Sequence, residues 1–90
     1  MSENLRKLII QIPCLNEAGT LTQTLKALPR HVRGFDAVEW LVIDDGSNDG
    51  TAKIAADAGA DHVISLGYNQ GLARAFMAGL EFALKQGADV

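Results

Sequence analysis

The stretch Leu41–Thr51, LVIDDGSNDGT, decides how this chain is read. An apolar run that begins at Trp40 ends abruptly on two adjacent aspartates, followed by a glycine and a cluster of small polar residues. Trp40 to Ile43 has the continuous apolar character of a strand buried on both faces. The residues after it form turns readily, and Asp49 stands where a helix could be capped. Two neighbouring carboxylates resist joint desolvation, so the pair must be solvated or answered by something that binds it.

Working outward, the same alternation repeats. Leu8 to Ile12 (LIIQI) reads as an earlier buried strand. After Pro13, Asn16 is a candidate N-cap for a helix whose apolar face is Leu21, Leu25 and Leu28, stopped by Pro29. Beyond the central stretch, Asp49 would cap a second helix with Ala52, Ala55 and Ala58 as a small-residue face and Gly59 as its stop. His62 to Leu66 (HVISL) is a third strand. Asn69 would open a third helix with Leu72, Ala75, Phe76, Gly79 and Ala83 on one face, ended by Gly87. Residues 88–90 (ADV) then look like the start of a fourth strand.

A βαβαβα(β) order predicts an α/β fold: a Rossmann-like parallel sheet with right-handed crossovers and helices on both faces. Ligands of such sheets bind beyond the carboxyl ends of the strands. Residues 13–17, 44–47 and 67–71 should therefore share one rim, with water and ligand able to meet both aspartates.

Ninety residues make one small domain. It would bury little more than ~60% of its unfolded surface, so the core is modest. With 48% hydrophobic and 21% charged residues the composition is that of a globular chain. A net charge of −3 and eight scattered basic residues argue against nucleic acid or an anionic membrane as partner. A single cysteine, Cys14, precludes an internal disulfide and fits a reducing, cytoplasmic compartment. The N-terminus lacks the pattern of a signal peptide, and no apolar run approaches the ~20 residues that span a bilayer.

Asp44 and Asp45 can hold a base or ribose, hold a metal through water, or cap the following turn; at a strand end above a parallel sheet, ligand contact is favoured. Asp49 is better read as a cap, and Glu17 suits either a ligand or an acidic first turn. Cys14 has acidic neighbours and no base beside it, which makes it a packing residue rather than a nucleophile. His31 and His62 lack metal-ligand spacing. Arg74 could reach a phosphate or form a surface ion pair. A dinucleotide site needs a glycine-rich first turn, and here that turn is PCLNE. A phospho-acceptor receiver carries its acidic pair after the first strand, not the second.

Three segments, LIIQIPCLNEAGTL, LVIDDGSNDGT and YNQGLARAFMAGLEFALKQGADV, resemble in order and spacing the opening of family 2 type GT-A fold glycosyltransferases, in particular the dolichyl-phosphate mannosyltransferase-like branch. The resemblance implies the N-terminal, nucleotide-binding half of a GT-A domain, which takes a UDP or GDP type sugar as donor. It implies that Pro13, Leu15 and Glu17 line the nucleotide pocket, that Asp45 accepts a hydrogen bond from the base with Asp44 in support, and that Asn69 and Gly71 shape the closing loop. Leu15 stands where the family often has Tyr, and Ala18 where a second acid is common. The family's Asp-x-Asp motif, which grips Mg²⁺ or Mn²⁺ in the complete enzyme, would follow Val90. The resemblance therefore implies an inverting glycosyltransferase acting on a lipid-phosphate or saccharide acceptor, working in the cytoplasm or at the cytoplasmic face of a membrane. These 90 residues would be inactive alone, with no catalytic residue and no metal ligand among them. The other reading is a stand-alone module that binds a nucleotide or a protein without catalysis. A sheet edge left open beside the incipient fourth strand predicts self-association.

Overall fold

The computed structural model describes residues 6–90; residues 1–5, part of the stretch inspected for a leader, lie outside them. The elements are β1 (Lys7–Cys14), α1 (Leu21–Lys26), β2 (Ala37–Asp44), α2 (Thr51–Asp57), β3 (His62–Ser65) and α3 (Leu72–Lys85). The strands form one parallel sheet in the order β1-β2-β3. Register sets Cys14 beside Asp44 and Asp44 beside Ser65, so the three strands finish level and their following loops meet.

The fold is α/β with helices on both faces, as the alternation predicts. Ile10, Ile12 and Cys14 of β1, with Trp40 and Val42 of β2, pack towards α1 and α2 around the fully buried Leu25. Ile9, Leu41 and Ile43 pack on the other face against Ala75 and Ala83 of α3. Burying a side chain such as Leu25 contributes roughly 1.5–3 kcal/mol. After α3 the chain returns to the far side of β1: Asp89 N–H donates to Lys7 O at 2.8 Å, and Ile9 N–H donates to Val90 O at 3.0 Å. Sheet growth therefore reverses direction at β1, and crevices in open α/β sheets form where that reversal occurs.

Three local expectations need correction. Asn16 does not cap α1. The helix starts five residues later behind Thr20, and Asn16 instead adopts a left-handed φ of 52°. Asn69 does not open α3 directly, because Gly71 occupies the N-cap position; the Asn69 side chain accepts the Gly71 N–H at 2.9 Å. The apolar face of α3 is also narrower than its periodicity suggests. Ala75, Gly79 and Ala83 meet the sheet, whereas Leu72 is 72% and Phe76 49% exposed. Small residues are selected there because the helix lies so close: a Cβ on Gly79 would come within 2.7 Å of Ile43 Cδ1 and overlap the Gln11 side chain. The stops at Gly59 and Gly87 hold. Each glycine has positive φ, and the next residue's N–H closes a six-residue turn on Ala55 O and Ala83 O respectively.

Candidate functional site

Side chains alternate along an extended chain, so Asp44, the last residue of β2, and Asp45, just beyond it, point to opposite faces of the sheet. Both are buried, at 4% and 5% exposure, and backbone N–H groups answer both. Asp44 Oδ1 accepts from Ser47 N at 2.9 Å, closing the turn that follows β2. Asp45 Oδ1 accepts from Gln70 N at 2.7 Å, and its Oδ2 from Gly71 N at 3.0 Å. A carboxylate at the first turn of the 14-residue α3 also sits at the positive end of that helix. Solvent therefore does not meet both carboxylates, as the sequence alone suggested; protein donors hold each one.

A cavity of about 330 Å³ opens at the strand ends, at the reversal point. The end of β1 and the loop after it line it with Pro13, Cys14, Leu15 and Glu17, the position just after β2 contributes Asp45, and the approach to α3 and its first turn contribute Asn69, Gly71, Leu72 and Ala75. Of the residues singled out from sequence, Pro13, Leu15, Glu17, Asp45 and Asn69 converge here. Asp44 does not border the cavity and instead belongs to the α1/α2 side. Leu72 and Ala75 form the far wall; Ala75 is core as expected, whereas Leu72 is exposed. Their positions in the first turn of α3 were the available signal. A second hollow of about 170 Å³ lies behind the same loop and shares Pro13, Cys14 and Glu17 with the first.

Gly46 lets the second and third loops meet. Its φ is 88°, and a Cβ there would overlap Asn69 N and lie 2.5 Å from Tyr68 C. No side chain larger than hydrogen fits between these two backbones.

The chemistry of the cavity is that of an acceptor. Two carboxylates border it, with no Lys or Arg among the lining residues. Burial pushes the Cys14 thiol up to about 11, helped by the charges of Asp44, Glu17 and Asp49. It is thus protonated at neutral pH and no nucleophile. His62 lies at the other end of the sheet, paired to Glu39 at 2.7 Å and set edge-on to Phe82, while His31 is an exposed loop residue. Arg74 is exposed and enters no ion pair among the described residues. Also among the described residues, no three His, Cys, Asp or Glu side chains gather as a metal site. No helix among them is long and apolar enough to cross a membrane.

Compared with known families, residues 9–86 match the one described as Glycosyl transferase family 2. No solved structure matches the chain.

Proposed function

The chain belongs to Glycosyl transferase family 2, and from that membership we propose that its strand-end cavity binds the nucleoside end of a nucleotide-sugar donor of the UDP or GDP type. The observation that carries the reading is Asp45. This carboxylate is fixed by two backbone donors at the cavity wall, and these occupy two of its roughly four lone-pair positions. The remaining ones suit a ring N–H of uracil or guanine. Pro13 and Leu15 offer an apolar surface to a base, Glu17 and Asn69 offer groups for ribose hydroxyls, and Asp44 supports the loop from behind. A lining without cationic side chains suits a base and sugar better than a diphosphate.

In the same proposal the whole enzyme is an inverting transferase of the dolichyl-phosphate mannosyltransferase-like kind. An ionised oxygen of a lipid phosphate, or a saccharide hydroxyl oxygen that gives its proton to a general base as it reacts, bonds to the anomeric carbon as the bond to the nucleoside diphosphate breaks and that diphosphate leaves. Mg²⁺ or Mn²⁺ would neutralise that leaving group when bound. These 90 residues supply donor binding and not transfer. A cytoplasmic location belongs to the proposal too, and the free Cys14 supports it.

The test is calorimetric titration of UDP and GDP against the parent chain and Asp45→Ala. Affinity should fall by the equivalent of about 1–3 kcal/mol, the cost of an unmet hydrogen bond to a charged group. A folded Asp45→Ala chain that binds both nucleotides like the parent would refute the assignment.

Self-association is proposed through the edge of β1. Lys7 and Ile9 bond to Asp89 and Val90 on that side, and alternation points the Gln11 N–H the same way. Beside it lies a hollow of about 190 Å³ between β1 and the exposed Leu80 and Leu84. Open strand edges recruit further strands. Sedimentation velocity should show a concentration-dependent rise in mass, and a monomer across the range would remove this part of the reading.

A further inference from the structure

The second loop holds the first loop in place at the cavity. Three successive backbone N–H groups, those of Asn16, Glu17 and Ala18, each donate to a side-chain oxygen of the second loop or of the helix start behind it. Asn16 N donates to Ser47 Oγ at 2.8 Å, Glu17 N to Thr51 Oγ1 at 3.1 Å, and Ala18 N to Asp49 Oδ2 at 3.2 Å. The Thr51 hydroxyl, fully buried, in turn donates to Asp49 Oδ1, which also accepts the Thr51 N–H at 3.1 Å. In the opposite direction Asn48 N donates to Asn16 Oδ1 at 3.0 Å. Asn16 itself has a left-handed φ of 52°, a region that asparagine adopts more readily than most residues.

We propose that Ser47, Asp49 and Thr51 are positioning residues that set the cavity wall formed by Leu15 and Glu17. None of the three lines the cavity itself. Thr51 is central because its single oxygen links the two loops: it receives the Glu17 N–H and passes its own proton to Asp49. The consequence for binding rests on the nucleotide reading above, whereas the consequence for the loop does not.

Thr51→Val keeps the shape of the side chain and removes the relay, while Thr51→Ser keeps the relay. Amide hydrogen exchange at Glu17 and Ala18 should quicken at least tenfold in Thr51→Val, measured relative to the core amides of Leu41 and Val42. It should return towards the parent rate in Thr51→Ser. UDP or GDP affinity should fall about tenfold in Thr51→Val. In a Glu17→Ala background the same change should cost distinctly less, because the wall it positions is already lost. If Thr51→Val does not fold, Asp49→Ala at the exposed end of the relay carries the test, read at the Ala18 amide. Unchanged exchange at residues 16–18, or losses that simply add in the Glu17→Ala background, would overturn the positioning role. A parent chain that binds neither nucleotide would refute the nucleotide reading, and the exchange result would still decide this inference.

Discussion

Replacing Gly46 by alanine tests how the second and third loops are joined. Two costs arise, and the structure separates them. The first is the backbone: φ is 88°, where an L side chain is strained by about 1–2 kcal/mol. The second is contact. The new methyl would stand 2.5 Å from Tyr68 C, against an optimum of about 3.5–4.0 Å, so the third loop must retreat by about 1 Å. That retreat carries Gln70 and Gly71 away from Asp45, whose bonds to them are now 2.7 and 3.0 Å. Weakening one hydrogen bond to a buried charge costs about 1.5–3 kcal/mol. Gly34→Ala is the control, because Gly34 has a similar φ of 92° and nothing lies within 4 Å of the methyl it would gain. Urea unfolding followed by Trp40 fluorescence should show Gly34→Ala destabilised by about 1–2 kcal/mol. Gly46→Ala should lose about 2.5–5 kcal/mol, the sum of the two costs. Equal losses in the two variants would show that the loops do not depend on this contact.

Further outcomes follow from single groups. Cys14 should react slowly with a thiol reagent at pH 8 in the native chain and quickly in urea. Its folded value of about 11 lies above the ordinary 9.0, so the stability it contributes is present below pH 9 and lost as pH rises towards 11; Cys14→Ala should flatten that alkaline slope. For Asp61, burial raises the carboxyl but is outweighed by the hydrogen bonds from Arg30 and Trp40 N and by the charges of Arg30 and His62, so its value lies below 3.8. Its contribution is therefore full above pH 3.8 and lost as pH falls through the lowered value. The parent's advantage over Asp61→Asn should shrink in acid unfolding curves below about pH 4. Gln11 Oε1 is a buried acceptor without a partner among the described residues, so Gln11→Met should stabilise the chain by about 1 kcal/mol in urea titration. Nucleotide affinity should depend little on Mg²⁺, because the cavity, lined without Lys or Arg, is read as holding base and ribose rather than the diphosphate; a large calorimetric difference between EDTA and Mg²⁺ would contradict that.

Much of this protein was legible as a string of residues. Period and punctuation identified the elements: LIIQI, WLVI and HVISL as strands, Gly59 and Gly87 as helix stops, and from their order a parallel sheet with the three loops at one rim. These features are local, because a strand buried on both faces has to be apolar along its length and a helix end needs a residue that tolerates positive φ. The convergence of Pro13, Leu15, Glu17, Asp45 and Asn69 followed from that topology. What the sequence left undetermined depended on contacts between loops distant along the chain. The two aspartates read as one site, yet they part across the sheet, and only the packed third loop shows that Asp45 meets Gln70 and Gly71. Asn16 and Asp49 each suited a cap by type, but capping is a competition for N–H groups. Once the loops fold together, Thr51 Oγ1 and Asp49 Oδ2 take donors that lie 34 and 31 residues away, at Glu17 and Ala18. Which face of α3 turns inward was likewise decided by distance. The sheet comes close enough to admit Ala75, Gly79 and Ala83, and the larger Leu72 and Phe76 are left on the outside.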